Sequence, residues 1–394
     1  MPKKIILLLD GTSNEISKKR SNILRLYGTL EKSDAQLVYY DPGVGTFGAE
    51  SAWSQSVRKG AEVWGMATGW GMDTNVLEAY RFLVKNWQHT EGGDADSIHI
   101  FGFSRGAYTA RVLAGFLHAF GIVEERNLNL VEYAYRAYKS IGAREGKADF
   151  TELGLHERIL RPHRPQIRLL GLFDTVSSVI ESGRFLPRLR SHAFTAHNPS
   201  VEAVRQALSI HERRTMFRAQ LWPGDQNYHP HRLNHEDVVP QDSREVWFAG
   251  VHGDVGGGYA EEESQLAKFP LYWMIQETQA LGVQYQPGTI ASLVLGETED
   301  GRYAKPDING KIHQSLNGPW KLVELVPRRT PAESHRPSLA GWTVPLGDWR
   351  AIPEGALLHR SAVDRFTTKN DSPPNVPDDH AIAEEHMPHD ESPA

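Results

Sequence analysis

The chain has 394 residues and a hydrophobic content of 40%, enough for one large α/β domain or two ordinary ones. Its net charge is −6, but residues 371–394 hold seven acids and no Lys or Arg, so the remainder carries about +1 and no strong field favours nucleic acid. With 0 Cys, disulfides, thiolate metal sites and a Cys nucleophile are excluded.

The start, MPKKIILLLDGT, has two lysines and then only five apolar residues before Asp10. That is too short for a signal peptide, and no later apolar run approaches the length of a membrane span. Lys4–Leu9 therefore predicts a buried strand, and a cytoplasmic location is the default expectation. The strand ends in Asp10-Gly11-Thr12-Ser13-Asn14, at the edge where an α/β sheet carries its functional polar residues. Gly11 is placed to offer a backbone N–H to an oxyanion; a plain βα turn capped by Asp10 or Thr12 fits the same residues. Ser21–Leu30 predicts a helix and Leu37–Tyr40 a short strand. Residues 43–71, with Trp53, Trp64 and Trp70, predict an insertion. It reads either as a substrate-lining flap or as an excursion whose tryptophans complete the core. Thr74–Trp87 predicts a helix with Val76, Ala79, Phe82, Leu83 and Trp87 on one face.

The most informative stretch is SIHIFGFSRGAYTARVLAGF, residues 97–116. An apolar run, Ile98–Phe101, passes through Gly102-Phe103-Ser104-Arg105-Gly106 into a helix with Ala107, Ala110, Leu113, Ala114 and Leu117 at helical spacing. Strand, tight turn and helix, with a serine between glycines at both second neighbours, is the pattern of a nucleophile elbow. A Cβ at either glycine would crowd the strand or the helix. The strained turn lifts the Ser104 hydroxyl clear of the backbone and aims the Arg105 N–H at any oxyanion formed there.

Leu128–Ile141 predicts a helix, and the polar Lys147–Arg161 segment lies outside the sheet. Ile167–Phe173 is a buried strand ending at Asp174-Thr175-Val176. Residues 181–200, rich in Arg, His and Pro, read as a surface loop, and Val201–Ile210 as the start of a helix. Glu245–Ala249 predicts a strand leading into Gly250-Val251-His252-Gly253-Asp254-Val255-Gly256-Gly257-Gly258-Tyr259, and Leu266–Leu281 a long helix. Residues beyond Thr367 lack the apolar content to fold. The expected organisation is one domain over 1–366, with insertions near 43–71 and 181–200, and a disordered acidic tail over 367–394. The fold class is α/β, with a mostly parallel central sheet and helices on both faces.

Three apolar strands thus end in reactive residues, in the order Ser104, Asp174, His252. That is the Ser…Asp/Glu…His order of α/β-hydrolases, and parallel strands bring such ends to one sheet edge. A serine hydroxyl needs a neutral imidazole to take its proton, and a carboxylate to hold that imidazole. Asp254, two residues from His252, and Asp10, beside the expected oxyanion donor and within reach of Arg105, compete with Asp174 for the carboxylate role. The Gly253–Gly258 run matches neither the P-loop nor the dinucleotide fingerprint. No metal or organic cofactor is needed for this chemistry. Hydrolysis of an ester is the leading reading; an amide or polyester substrate, or a binding protein on a hydrolase scaffold, are the alternatives.

Taken together, LLLDGTSNE, YYDPGVGT, GFSRGAYTAR, LFDTV, ALSIHERRTMF, WFAGVHGDVGGGY, FPLYWMIQETQALGV and LHRSAVDRF resemble a known family. It is the α/β-hydrolase family that includes the catalytic domain of type VI secretion phospholipase effectors. The resemblance covers most of residues 4–366. It implies phospholipase or other carboxylester hydrolysis by Ser104, Asp174 and His252, with Gly11 and Thr12 beside the oxyanion. It also implies a lipid or other ester substrate, secretion machinery or an immunity protein as partners, and export by a type VI-like system.

Overall fold

A computed structural model describes residues 2–11, 19–43, 71–89, 95–141, 149–176, 180–181, 188–189, 192–230, 237–329, 339, 341–370 and 372–388. Eight strands among them form one sheet: β1 (Lys4–Leu9), β2 (Gln36–Asp41), β3 (Ser97–Phe103), β4 (Ile167–Phe173), β5 (Val201–Ser209), β6 (Asp242–Phe248), β7 (Ala356–His359) and β8 (His380–Ala383). Their spatial order is β8-β7-β6-β5-β4-β3-β1-β2, and every neighbouring pair is parallel. From β1 the chain adds β2 on one side and every later strand on the other, which makes the crevice between the C-terminal ends of β1 and β3 the switch point.

The pleat sends alternate side chains to opposite faces, and both faces are covered. Ile5, Leu7 and Leu9 of β1 pack under α2 (Met72–Asn86), α3 (Arg105–Ala119) and α4 (Val131–Ile141). Ile6 and Leu8 pack under α1 (Asn22–Thr29) and α6 (Lys268–Ala280). The chain therefore has the α/β class of fold expected, a parallel central sheet with helices on both faces. A further helix, α5 (Thr151–Leu160), stands outside the sheet, as the polarity of that segment predicts.

Two expectations are corrected. Val201–Ser209 is not a helix but the central strand β5, paired with β4 and β6 along its length. Its Glu, Ala, Arg and Gln content favours a helix locally, but the sheet supplies partners for its polar side chains. Arg205 donates to Glu277 Oε2 (2.5 Å) and to Asp242 Oδ2 (2.8 Å), and Gln206 accepts from Arg111 (2.6 Å). Tertiary context thus overrides propensity. The second correction concerns the tail. α7 (Arg360–Lys369) runs past Thr367, and β8 joins the sheet edge beside β7, with Ala383 fully buried and Met387 packed on the core. Its apolar content is low, but backbone pairing and contacts such as His386 to Glu277 (3.2 Å) hold it.

Of the two insertions, residues 44–70 lie outside the described residues. In the other, Ile180–Glu181 pairs antiparallel with Arg188–Leu189. Among the described residues, no helix is long and apolar enough to cross a membrane.

Candidate active site

The site is built where β3 turns into α3. Ser104 sits in the turn at φ 59° and ψ −120°, a conformation L-residues rarely adopt, and its N–H donates to the Phe173 carbonyl (3.0 Å). Both flanking glycines are required by close backbone approach. A Cβ on Gly102 would lie 2.5 Å from the Gly106 carbonyl oxygen, and one on Gly106 would lie 2.1 Å from that of Leu9. The sequence pattern and its physical cause agree here.

Asp174 follows β4 at φ 43°, with its N–H donating to Ala207 of the adjacent β5 (2.7 Å). That places its carboxyl, which is wholly buried, on the same edge as Ser104. His252 follows β6. Gly250, at φ 113°, turns the chain, and the Val251 N–H donates to Asp254 Oδ2 (2.9 Å), starting a short helical turn over His252–Gly256. Gly256 must lack a side chain, because a Cβ there would fall 1.8 Å from the Phe103 ring.

These three turns converge. His252 Nε2 lies 2.8 Å from Ser104 Oγ, and His252 Nδ1 lies 2.5 Å from Asp174 Oδ2. The imidazole is clamped between aromatic rings, Phe103 at 4.7 Å and Phe217 at 4.9 Å, and its N–H on the main chain donates to Glu212 Oε2 (3.2 Å). Burial holds the imidazole below its ordinary pKa, overcoming the pull of Asp174 in the other direction. Asp174 shows the opposite balance. Burial pushes its carboxyl up, but the Arg350 guanidinium and the hydrogen bond with His252 outweigh that and hold it well below the usual carboxylate range. The arrangement keeps a neutral imidazole on a serine hydroxyl with an ionised carboxylate behind it. Such a group can take the hydroxyl proton on Nε2 while Nδ1–H stays on the carboxylate.

The competing acids stand elsewhere. Asp254 pairs with His313 Nδ1 (2.6 Å) and pins its own loop. Asp10 accepts from the Tyr40 hydroxyl (2.9 Å), from the Ser21 hydroxyl and from the Gly11 N–H (2.7 Å). The Gly11 N–H, expected as an oxyanion donor, is thus turned onto the neighbouring carboxylate. Thr12 lies outside the described residues. Arg105 opens α3 directly after Ser104, so its N–H stands at the positive end of the helix. Among the described residues, no group of three or more His, Asp or Glu is placed to hold a metal ion.

Several neighbours escaped the sequence. Arg350, in the turn-rich approach to β7, donates from Nη1 to Asp174 Oδ1 (2.6 Å) and from Nη2 to Oδ2 (2.9 Å). Ser209, ending β5, donates its N–H to Oδ1 (2.9 Å) and its hydroxyl to Oδ2 (3.2 Å). No motif marks Arg350; Ser209 lies within the ALSIHERRTMF segment, but the helical reading of Val201–Ile210 hid its place at a strand end.

The family described as T6SS, phospholipase effector Tle1-like, catalytic domain matches residues 3–277, which include Ser104, Asp174 and His252. An uncharacterized protein of Saccharomyces cerevisiae, YEL023C, is 32% identical over 423 residues, covering 76% of this chain and 60% of its own length. Among solved structures, an uncharacterized protein from Pseudomonas aeruginosa is similar at 19% identity and TM-score 0.40, over 77% of this chain and 49% of that one. A Tle1 effector bound to the VgrG spike of the type 6 secretion system is similar at 19% identity and TM-score 0.35, over 67% of this chain and 52% of that one. The chain thus spans 60% of the curated relative and about half of each solved chain. By the match over residues 3–277, the chain belongs to the family of Tle1-like phospholipase effector catalytic domains.

Proposed function

We propose that the protein is a serine esterase, with the ester bonds of phospholipids as its substrate class. The observation that carries this reading is the chain of contacts Ser104–His252–Asp174, at 2.8 and 2.5 Å, on a strained elbow. Membership of a phospholipase effector family supports the lipid class.

In this mechanism Ser104 Oγ attacks the ester carbonyl carbon while its proton passes to His252 Nε2. Asp174 holds Nδ1–H and stabilises the imidazolium that forms. The carbonyl oxygen becomes an oxyanion, and the Arg105 N–H at the start of α3 donates to it. As the intermediate collapses, His252 returns the proton to the departing alcohol and leaves an acyl group on Ser104. A water molecule, deprotonated by His252, then releases the carboxylic acid and restores the serine. The aromatic clamp of Phe103 and Phe217 restricts the imidazole to an orientation that serves both half-reactions. The family's link to type VI secretion supports export by such a system, with its machinery as partner.

The test is release of fatty acid from phosphatidylglycerol and phosphatidylethanolamine vesicles by the full chain. Release by wild type, abolished in Ser104→Ala, supports the reading; hydrolysis undiminished in that variant overturns it.

A further inference from the structure

The carboxylate behind His252 is held in an unusually complete way. Five contacts fill the acceptor capacity of Asp174: the Ser209 N–H and Arg350 Nη1 at Oδ1, and the Ser209 hydroxyl, Arg350 Nη2 and His252 Nδ1 at Oδ2. Two of the five come from one guanidinium in the bidentate geometry that fixes a carboxylate plane. Arg350 is itself buried, with its other donors spent on the same neighbourhood. Nε and Nη2 both donate to the Phe217 carbonyl, Nε at 3.0 Å, and Nη1 also reaches the Ser209 hydroxyl (2.8 Å). Phe217 is the residue whose ring stands edge-on to His252. One cation therefore grips the acid that orients the imidazole and the backbone of the ring that packs against it.

We infer that Arg350 is a positioning residue of the triad, fixing the Asp174 carboxylate in its plane and setting the pH at which His252 becomes a competent base. The inference rests on the esterase reading above, and it concerns a residue beyond the span, residues 3–277, that the family match covers.

Asp174 has no exposure to water, so without a cation its charge would be compensated only by Ser209 and His252. An uncompensated carboxylate binds protons more tightly and attracts imidazolium more strongly, so the coupled pair would titrate at higher pH. Arg350 thus restrains the acid limb of activity. The other groups facing His252 are Glu212, which accepts its main-chain N–H, and Arg214, whose charge opposes imidazolium, both from the loop after β5; Ser104 at Nε2; and Asp254 on its own turn. Arg350 donates to none of these groups; its donors go to Asp174, Ser209 and the Phe217 carbonyl. Geometry sets Arg350 apart as well. The fork constrains both oxygens at once, whereas a lysine brings the charge to one point only.

The experiment uses the full chain and a short p-nitrophenyl ester, with kcat and kcat/KM measured from pH 4 to 9 for wild type, Arg350→Met and Arg350→Lys. Arg350→Met is expected to lose about 10- to 100-fold in kcat with little change in KM. Its acid limb is expected to move up by about one pH unit. Arg350→Lys keeps the wild-type limb but loses kcat, because charge is retained and the fork is not. A wild-type limb in Arg350→Met, or full kcat in Arg350→Lys, overturns the inference while leaving the esterase reading intact. Should Arg350→Met fail to fold, as a thermal melt would show, Arg350→Lys decides: a shifted limb or an undiminished kcat in that variant counts against the inference. If the wild type has no Ser104-dependent hydrolysis, the esterase reading falls first and this one with it.

Discussion

The carbonyl oxygen of Leu9 stands where a side chain on Gly106 would begin, 2.1 Å from an ideal Cβ. The end of β1 and the first turn of α3 are therefore pressed together at the switch point, and the elbow of Ser104 is held by that contact. Both atoms involved belong to the backbone, so no rotamer change relieves a collision. Gly106→Ala is expected to cost at least about 3 kcal/mol and to remove activity with it. Urea unfolding measures the loss; a variant as stable and active as wild type would show that the close approach is not needed.

The choice among the three acids has a direct kinetic consequence. Asp174 alone is seated on His252 Nδ1, whereas Asp254 holds His313 and its own loop. Asp174→Asn is expected to lower kcat by about 10⁴-fold, as removal of the orienting carboxylate does in such triads. Asp254→Asn is expected to act mainly on stability and to change kcat less than about tenfold. Reversed magnitudes in steady-state kinetics would move the acid role to Asp254.

Activity should also report the state of the imidazole. Burial lowers the His252 pKa below its ordinary 6.5, so the neutral, base-competent form persists on the acidic side of neutrality. The profile of kcat/KM is expected to rise through a limb lying below pH 6.5 and to be level at neutral pH. A limb above pH 7 would contradict this.

Glu212 makes a separate claim on pH, through stability. It is wholly buried, and it accepts from Arg214 Nε and Nη2 (both 2.9 Å) and from the Ser315 hydroxyl (2.8 Å). Burial raises its pKa, but the Arg214 hydrogen bonds and charge outweigh that and bring it from 4.5 to about 2. Its folded pKa is depressed, so its stabilisation is complete above pH 4.5 and lost as pH falls toward 2. The full term is on the order of 3 kcal/mol. Glu212→Gln should lower stability at pH 7 and flatten the fall in stability between these pH values. An unchanged slope in urea titrations at stepped pH would remove Glu212 from the account.

The C-terminal strand can be probed without touching the site. Ala383 is wholly buried where β8 meets the sheet. Ala383→Asp would bury an unpaired charge and is expected to cost at least about 3 kcal/mol. Were residues beyond 367 an unstructured tail, the same substitution would leave the urea midpoint unchanged.

What the sequence shows and what it hides follow from the range of the interactions involved. The elbow was legible because its requirement is local: two missing Cβ atoms on either side of Ser104, between a strand and a helix. Asp174 and His252 were legible as strand ends, because apolar runs mark buried parallel strands and their order fixes the edge. β5 was not, since Arg205 and Gln206 find their partners on β6, α3 and α6 rather than nearby in the chain. β8 was hidden for a related reason: its stability comes from backbone pairing with β7, to which its own composition contributes little. Arg350 lay furthest from view, since nothing in Gly347-Asp348-Trp349-Arg350 distinguishes an arginine in water from one buried on a carboxylate 176 residues away.

The central claim is that Ser104 is a nucleophile activated by His252. The most direct measurement is labelling of the full chain with a fluorophosphonate probe, followed by mass spectrometry of the modified peptide. The account predicts a single phosphonate adduct on Ser104, absent in His252→Ala although that variant keeps its fold. An unlabelled wild type, an adduct on another serine, or equal labelling in the absence of His252 would contradict it.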